Sequence, residues 1–178
     1  MNLYYWYSII KDTLSKEVDK MLSQAYDLCE DGDFSDALKL YDLALKQEPE
    51  NINALIDKGV TLQNLGRIKQ AIKFYDKALG IDPKNLNALV NKGASLHTSQ
   101  KYKDAIQCYD LALKVDKKCA MALAYKGLSL GEMGNLADAL RHFKKALSID
   151  HDYDLASISK ETVKELLKSI QKQKSKIL

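Results

Sequence analysis

The sequence predicts an all-α fold of four helix–turn–helix repeats, and three observations carry that expectation. Shifting the 178-residue chain against itself by 34 positions brings like residues onto like, with no insertion or deletion. Within each 34-residue stretch the apolar residues recur at helical spacing. Proline occurs only at Pro49 and Pro83, so long helices meet few interruptions.

Composition agrees. The chain is 46% hydrophobic and 29% charged, as folded rather than disordered sequences are. Its net charge of +3 is too small to imply a polyanionic partner. The charge is uneven, however: residues 160–178 hold six Lys and two Glu, so this tail is +4 and the remainder −1. Lys160, Lys164, Lys168 and Lys172 repeat every four residues and form one stripe, with Glu161 and Glu165 as helix partners. No aromatics interleave with these lysines, so no nucleic-acid partner is expected. Cys29, Cys108 and Cys119 are odd in number and lack a CxxC spacing. They are expected to be free, mostly buried thiols of a reducing compartment.

The elements follow in order. Residues 1–17 begin Leu3-Tyr4-Tyr5-Trp6-Tyr7, four of the chain's fourteen aromatics. The apolar run here is about ten residues, too short to span a bilayer, and no basic segment precedes it as a secretion signal requires. No membrane partner is expected, and the expected location is cytoplasmic. Leu3, Tyr7, Ile10 and Leu14 have helical spacing, which predicts an extra N-terminal helix packed on the first repeat. The other reading of this segment is an arm exchanged within a homodimer, with Leu3, Tyr4, Trp6 and Tyr7 as interface anchors.

The repeats span 18–51, 52–85, 86–119 and 120–153. Ala37, Ala71, Ala105 and Ala139 recur, as do Ala44, Ala78, Ala112 and Ala146, with Tyr41, Tyr75, Tyr109 and Phe143 between them. These belong to the second helix of each repeat. The first helix carries Leu28, Leu62, Leu96 and Leu130, and three residues earlier Ala25, Gly59, Gly93 and Gly127. Glycine inside a helix costs about 0.5–1 kcal/mol relative to Ala, so three in register imply close approach of the paired helices, with the aromatic filling a wider gap nearby. Gly32, Gly66 and Gly134 lie where a left-handed residue ends the first helix, and Gln100 holds that place in the third repeat. Asn51 and Asn85 are predicted N-caps following Pro49 and Pro83, whereas the two later junctions lack proline and predict softer stops. Residues 154–178 supply an amphipathic capping helix through Leu155, Ile158, Val163, Leu166, Leu167 and Ile170, followed by the basic tail.

This pattern of a small residue in the first helix, small–aromatic–small in the second and proline at the junction resembles the tetratricopeptide repeat family across residues 18–153. One departure is that Met21, Leu55, Leu89 and Leu123 stand where the family commonly has an aromatic. The resemblance implies a right-handed α–α superhelix whose first helices line a concave groove. It also implies a scaffold that holds a partner polypeptide there and catalyses nothing.

Motifs for chemistry are absent from the sequence. His97, His142 and His151 occupy different repeat positions, and none pairs with Cys or carboxylate at ligand spacing. No phosphate loop or nucleophile elbow is present, and neither metal nor cofactor is expected. Asp42, Asp76 and Asp110 recur with the repeat and are read as a solvated face of the second helix.

By the family's geometry the groove residues are Asp19, Leu22, Ser23 and Tyr26 in the first repeat, and Asn53, Ile56, Asp57, Val60 and Asn64 in the second. The third offers Asn87, Val90, Asn91, Ala94, His97 and Thr98, and the fourth Met121, Ala124, Tyr125 and Leu128. The amides of Asn53, Asn87 and Asn91 suit a ligand's backbone. Ile56, Val60 and Val90 are expected to leave apolar surface needing cover. Chaperone co-factors of this family clamp a C-terminal carboxylate with Lys, Arg and Asn. Here the two possible registers give Leu22, Tyr26, Asp57, Asn87 and Asn91, or Ile56, Val60, Asn91, Met121 and Tyr125, without a cation. The groove is therefore expected not to bind such tails.

Overall fold

The computed structural model describes the backbone of residues 3–177 and the side chains of residues 12–172. The proposed anchors Leu3, Tyr4, Trp6 and Tyr7 therefore have side chains outside the described residues. Among the described residues all regular structure is helical: α1 (Leu3–Glu30), α2 (Phe34–Gln47), α3 (Ile52–Asn64), α4 (Ile68–Ile81), α5 (Leu86–Thr98), α6 (Tyr102–Val115), α7 (Ala120–Glu132), α8 (Leu136–Ile149) and α9 (Asp154–Ile177). They form two compact bodies, Met1–Pro83 with α1–α4 and Lys84–Leu178 with α5–α9.

In the N-terminal body α1 packs on α2, α2 on α3 and α3 on α4. Ala25, Ala37 and Tyr41 form a buried cluster with Leu22, Leu28 and Leu40 against it. The helix expected over the aromatic segment is not a separate element, because α1 runs unbroken from Leu3 to Glu30. In the C-terminal body consecutive helices pack likewise, and α7 also touches α5 and α9. Its core joins Leu123, Leu130, Ala139, Phe143 and Ala146 to Ala156 and Val163 of α9.

The turns show why these residues end these helices. After α3, Gly66 has φ of +70°, its N–H donates to the Gln63 carbonyl, and Arg67 N–H reaches back to the Leu62 carbonyl. This is the Schellman arrangement, which satisfies carbonyls the helix end would leave open. The same pair of bonds follows α5, where Gln100 adopts φ of +60° without being glycine. Asn51 and Asn85 cap α3 and α5 by accepting from Ala54 and Ala88 N–H, each at 3.0 Å. Cys119 takes that role for α7, its thiol accepting from Ala122 N–H at 3.4 Å. The C-caps of α6 and α8, Asp116 and Asp150, bond back to Ala112 and Ala146 just as Glu48 and Asp82 do after α2 and α4. The later stops thus form the same bond without proline.

The helix glycines sit directly under the repeat aromatics rather than beside a wider gap. A Cβ on Gly59 would stand 2.5 Å from Tyr75 Cε1, and one on Gly127 2.6 Å from Phe143 Cε1. The equivalent contact at Gly93, with Tyr109, is closer still. The missing side chain makes room for a ring. Ala25 holds this place in the first repeat, buried beside Tyr41.

Candidate functional site

The second helices bury one stripe of alanine and aromatic residues, so they fix the orientation of each first helix. What a first helix turns away from that stripe becomes the candidate binding face. In the N-terminal body, Asn53 and Asn64 of α3 are exposed and Asp57 and Val60 are half-buried. On α1, Asp19 and Ser23 are exposed, Leu22 is half-buried and Tyr26 is 61% exposed. In the C-terminal body, Asn87 and Thr98 of α5 are exposed and Asn91 is half-buried. Met121 of α7 is exposed, while Tyr125 and Leu128 are half-buried.

Several expected surface residues are interior ones. Ile56 is 6% and Val90 3% exposed, and Ala94 and Ala124 are also buried. With so little exposure, the apolar surface expected at Ile56 and Val90 is not there. Among the described residues within the repeats, the exposed large apolar side chains of the first helices are Tyr26 and Met121 instead. The thiols also differ from expectation, since Cys108 is buried but Cys29 and Cys119 are half-buried.

His97 has a structural setting. Its Nδ1 lies 2.9 Å from Ser129 Oγ, and its ring meets Tyr102 edge-on at 5.3 Å. Burial lowers its pKa below the ordinary histidine value, against an opposing pull from Glu132, which favours the neutral ring. Tyr125 stacks on Tyr109, with centroids 6.0 Å apart and planes 14° from parallel. Burial, first, and then the Tyr125, Cys108 and Tyr153 groups raise the Tyr109 phenol's pKa, and its hydroxyl has no hydrogen-bond partner among the described residues. Burial likewise raises the pKa of Asp57 above the usual carboxylate value.

The amides differ from their surroundings. Within the chain, among the described residues, the side chains of Asn53, Asn87 and Asn91 have no hydrogen-bond partner, whereas Asn51 and Asn85 spend theirs on caps. Each free carboxamide presents two donors and an acceptor to whatever lies on the face. None of the named face residues is Lys or Arg.

Two kinds of fastener between successive repeats escaped the sequence reading. The side chains of Asp42 and Asp110 are solvent-accessible as expected but are also ion-paired to Lys58 and Lys126 on the next first helix. Lys58 is only 8% exposed, and its ammonium also lies 4.4 Å from the Phe74 ring centroid. Cys29 Sγ lies 3.3 Å from Thr61 Oγ1. The Thr61 hydroxyl also lies within hydrogen-bond reach of the Asp57 carbonyl, at 2.9 Å. His97 and Ser129 repeat the arrangement in the C-terminal body. The signal was present in the sequence: Asp42 and Asp110 each precede a lysine by sixteen residues.

Comparisons with known proteins agree with this geometry. A tetratricopeptide repeat profile matches residues 91–154, and the profile of subunit 3 of the anaphase-promoting complex, or cyclosome, matches residues 30–112. The chain belongs to the tetratricopeptide repeat family. No curated protein matches it. Among solved structures it is similar to that of Pseudomonas aeruginosa pilF, at 21% identity and a TM-score of 0.81 over 88% of this chain and 72% of that one. MamA from Desulfovibrio magneticus RS-1 matches at 22% identity and TM-score 0.68, covering 85% and 96% of the two chains. The first tetratricopeptide domain of Spaghetti (RPAP3), bound in its structure to the HSP90 peptide SRMEEVD, matches at 20% and 0.63, covering 65% and 92%. As a tetratricopeptide repeat protein, the chain has a fold of the protein-interaction type. Among the described residues no group of His, Cys, Asp or Glu is placed to hold a metal ion. No described helix is long and apolar enough to cross a membrane.

Proposed function

We propose that this tetratricopeptide repeat protein is a non-catalytic scaffold that holds a partner polypeptide on its first-helix faces by the partner's backbone. The carrying observation is the set of free carboxamides on those faces, Asn53 in one body and Asn87 and Asn91 in the other. Amides that share these faces with Tyr26 in one body, and with Met121 and Tyr125 in the other, favour an extended segment of little charge. Asp57 is half-buried on this face and has the opposite sign from the cations of a carboxylate clamp, so an acidic tail such as the one bound by the Spaghetti domain is not its ligand.

The test uses dodecamer peptides selected on the full chain from a random display library. Each hydrogen bond contributes about 0.5–1.5 kcal/mol, so Asn87→Ala with Asn91→Ala weakens a selected peptide by about tenfold. Unchanged affinity in the double variant, or micromolar binding of SRMEEVD to the parent chain, refutes the proposal.

A second reading rests on α1. That helix has 28 residues where α3, α5 and α7 have 13, and Leu14 on its extension is 44% exposed. Self-association through this extension predicts a dimer that light scattering loses when residues 1–14 are deleted. An unchanged monomer of lower stability would instead make the extension a cap.

A further inference from the structure

The last junction breaks two periodic features together. Counting one repeat on from His97 and Ser129 leads to Gly131 and Val163, neither of which has a hydrogen-bonding side chain. The repeat aromatic beside them is Phe143, without the hydroxyl that Tyr41, Tyr75 and Tyr109 carry. Where a polar contact would stand, there is a cavity of about 230 Å³. Leu128, Gly131 and Glu132 of α7, Leu136 of α8, and Ile158 and Leu166 of α9 line it. Ile158 is 68% and Leu166 46% exposed, although the sequence predicted both for the capping contact.

Packing does not require glycine at 131. A Cβ there would meet only Ala139 Cβ, at an ordinary 3.9 Å, unlike the clash awaiting one at Gly127. Glycine is unfavourable inside a helix, and its effect here is to leave the cavity open. The volume lies below the range of about 300–1,000 Å³ usual for small-molecule pockets, and the walls, apolar but for Glu132, Ser159 and Thr162, suit one bulky apolar side chain. Glu132 is the charged residue of the lining, exposed and without an ion pair among the described residues. Its complement is a cation.

We propose that this cavity anchors the partner polypeptide by taking one bulky aliphatic or aromatic side chain, with a neighbouring Lys or Arg of the partner placed against Glu132. The inference rests on the reading of the chain as a polypeptide scaffold. It adds a sequence preference that backbone recognition alone does not give.

Peptides selected on the full chain test it, with affinities read by fluorescence anisotropy. Selected peptides should share a bulky apolar residue beside Lys or Arg. Gly131→Leu fills the cavity and should weaken them by about tenfold or more, as loss of an anchor pocket does, with the helical circular dichroism spectrum retained. Glu132→Lys should shift the selected residue from basic to acidic. If Gly131→Leu binds the peptides as the parent does while Asn87→Ala with Asn91→Ala weakens them, the anchor is overturned and the scaffold reading survives. If no peptide is enriched, both are overturned.

Discussion

Two glycines of the C-terminal body, Gly93 and Gly131, should respond in opposite directions to the same substitution. Gly93→Ala places a methyl against Tyr109, with Cζ at 2.8 Å and Cδ1 at 2.9 Å from the new carbon. That ring is fully buried and stacked on Tyr125, so it has little room to withdraw. Overpacking costs about 1–3 kcal/mol, and removing a helix glycine returns about 0.5–1. The difference is a net loss of about 0–2.5 kcal/mol, towards the upper end because the ring is confined. Gly131→Ala meets nothing nearer than 3.9 Å and keeps only the gain of about 0.5–1 kcal/mol. Urea denaturation followed by far-ultraviolet circular dichroism measures both. Repeating Gly93→Ala in a Tyr109→Leu background should abolish the penalty, because the ring causes it. Shifts of the same sign at the two glycines would refute the reasoning.

Three other substitutions follow from local geometry. Gln100→Gly relieves a left-handed residue at φ +60° and should stabilise the chain by about 1 kcal/mol; an unchanged urea midpoint would contradict this. Cys119→Asn replaces a thiol cap at 3.4 Å by the carboxamide that caps α3 and α5 at 3.0 Å. It should gain up to about 1 kcal/mol in the same assay, and a loss would show that the thiol contributes otherwise. For Asp57, burial raises the folded-state pKa, so the fold disfavours its charge near neutrality and the penalty fades as pH falls through that raised value. Asp57→Asn should therefore raise the melting temperature at about pH 7, with the difference closing towards about pH 4; a gap that widens on acidification would reverse the assignment.

The repeat was legible because every pair of helices poses the same packing problem and meets it with the same residues. Caps such as Asn51 and Asn85 were legible for a local reason: a short amide beside the first turn finds the free N–H groups. The continuity of α1 was harder to see, because the period marks a boundary at residue 18. Residues 3–30 nevertheless contain neither Gly nor Pro to enforce one. Ile56 and Val90 show the limit of a helical wheel, which gives the direction of a side chain but not how far it is buried. The Asp42–Lys58 pair was hidden by looking for partners on the same helix, when its two residues belong to successive repeats.

The fasteners also grade the molecule. In place of Asp42 and Lys58, or Asp110 and Lys126, the last repeat and α9 present Lys144 and Lys160, two cations, and Lys160 pairs with its own neighbour Glu161 at 3.4 Å. With the hydroxyl contact replaced by Gly131 and Val163, α9 is held mainly by apolar burial around Ala156 and Val163. Elements with few specific ties open at lower free energy than the rest of a fold, so amide hydrogen exchange in the C-terminal body should run fastest along α9. A side chain seated between α7 and α9 would bridge those helices and slow that exchange, making the end of the chain a reporter of occupancy.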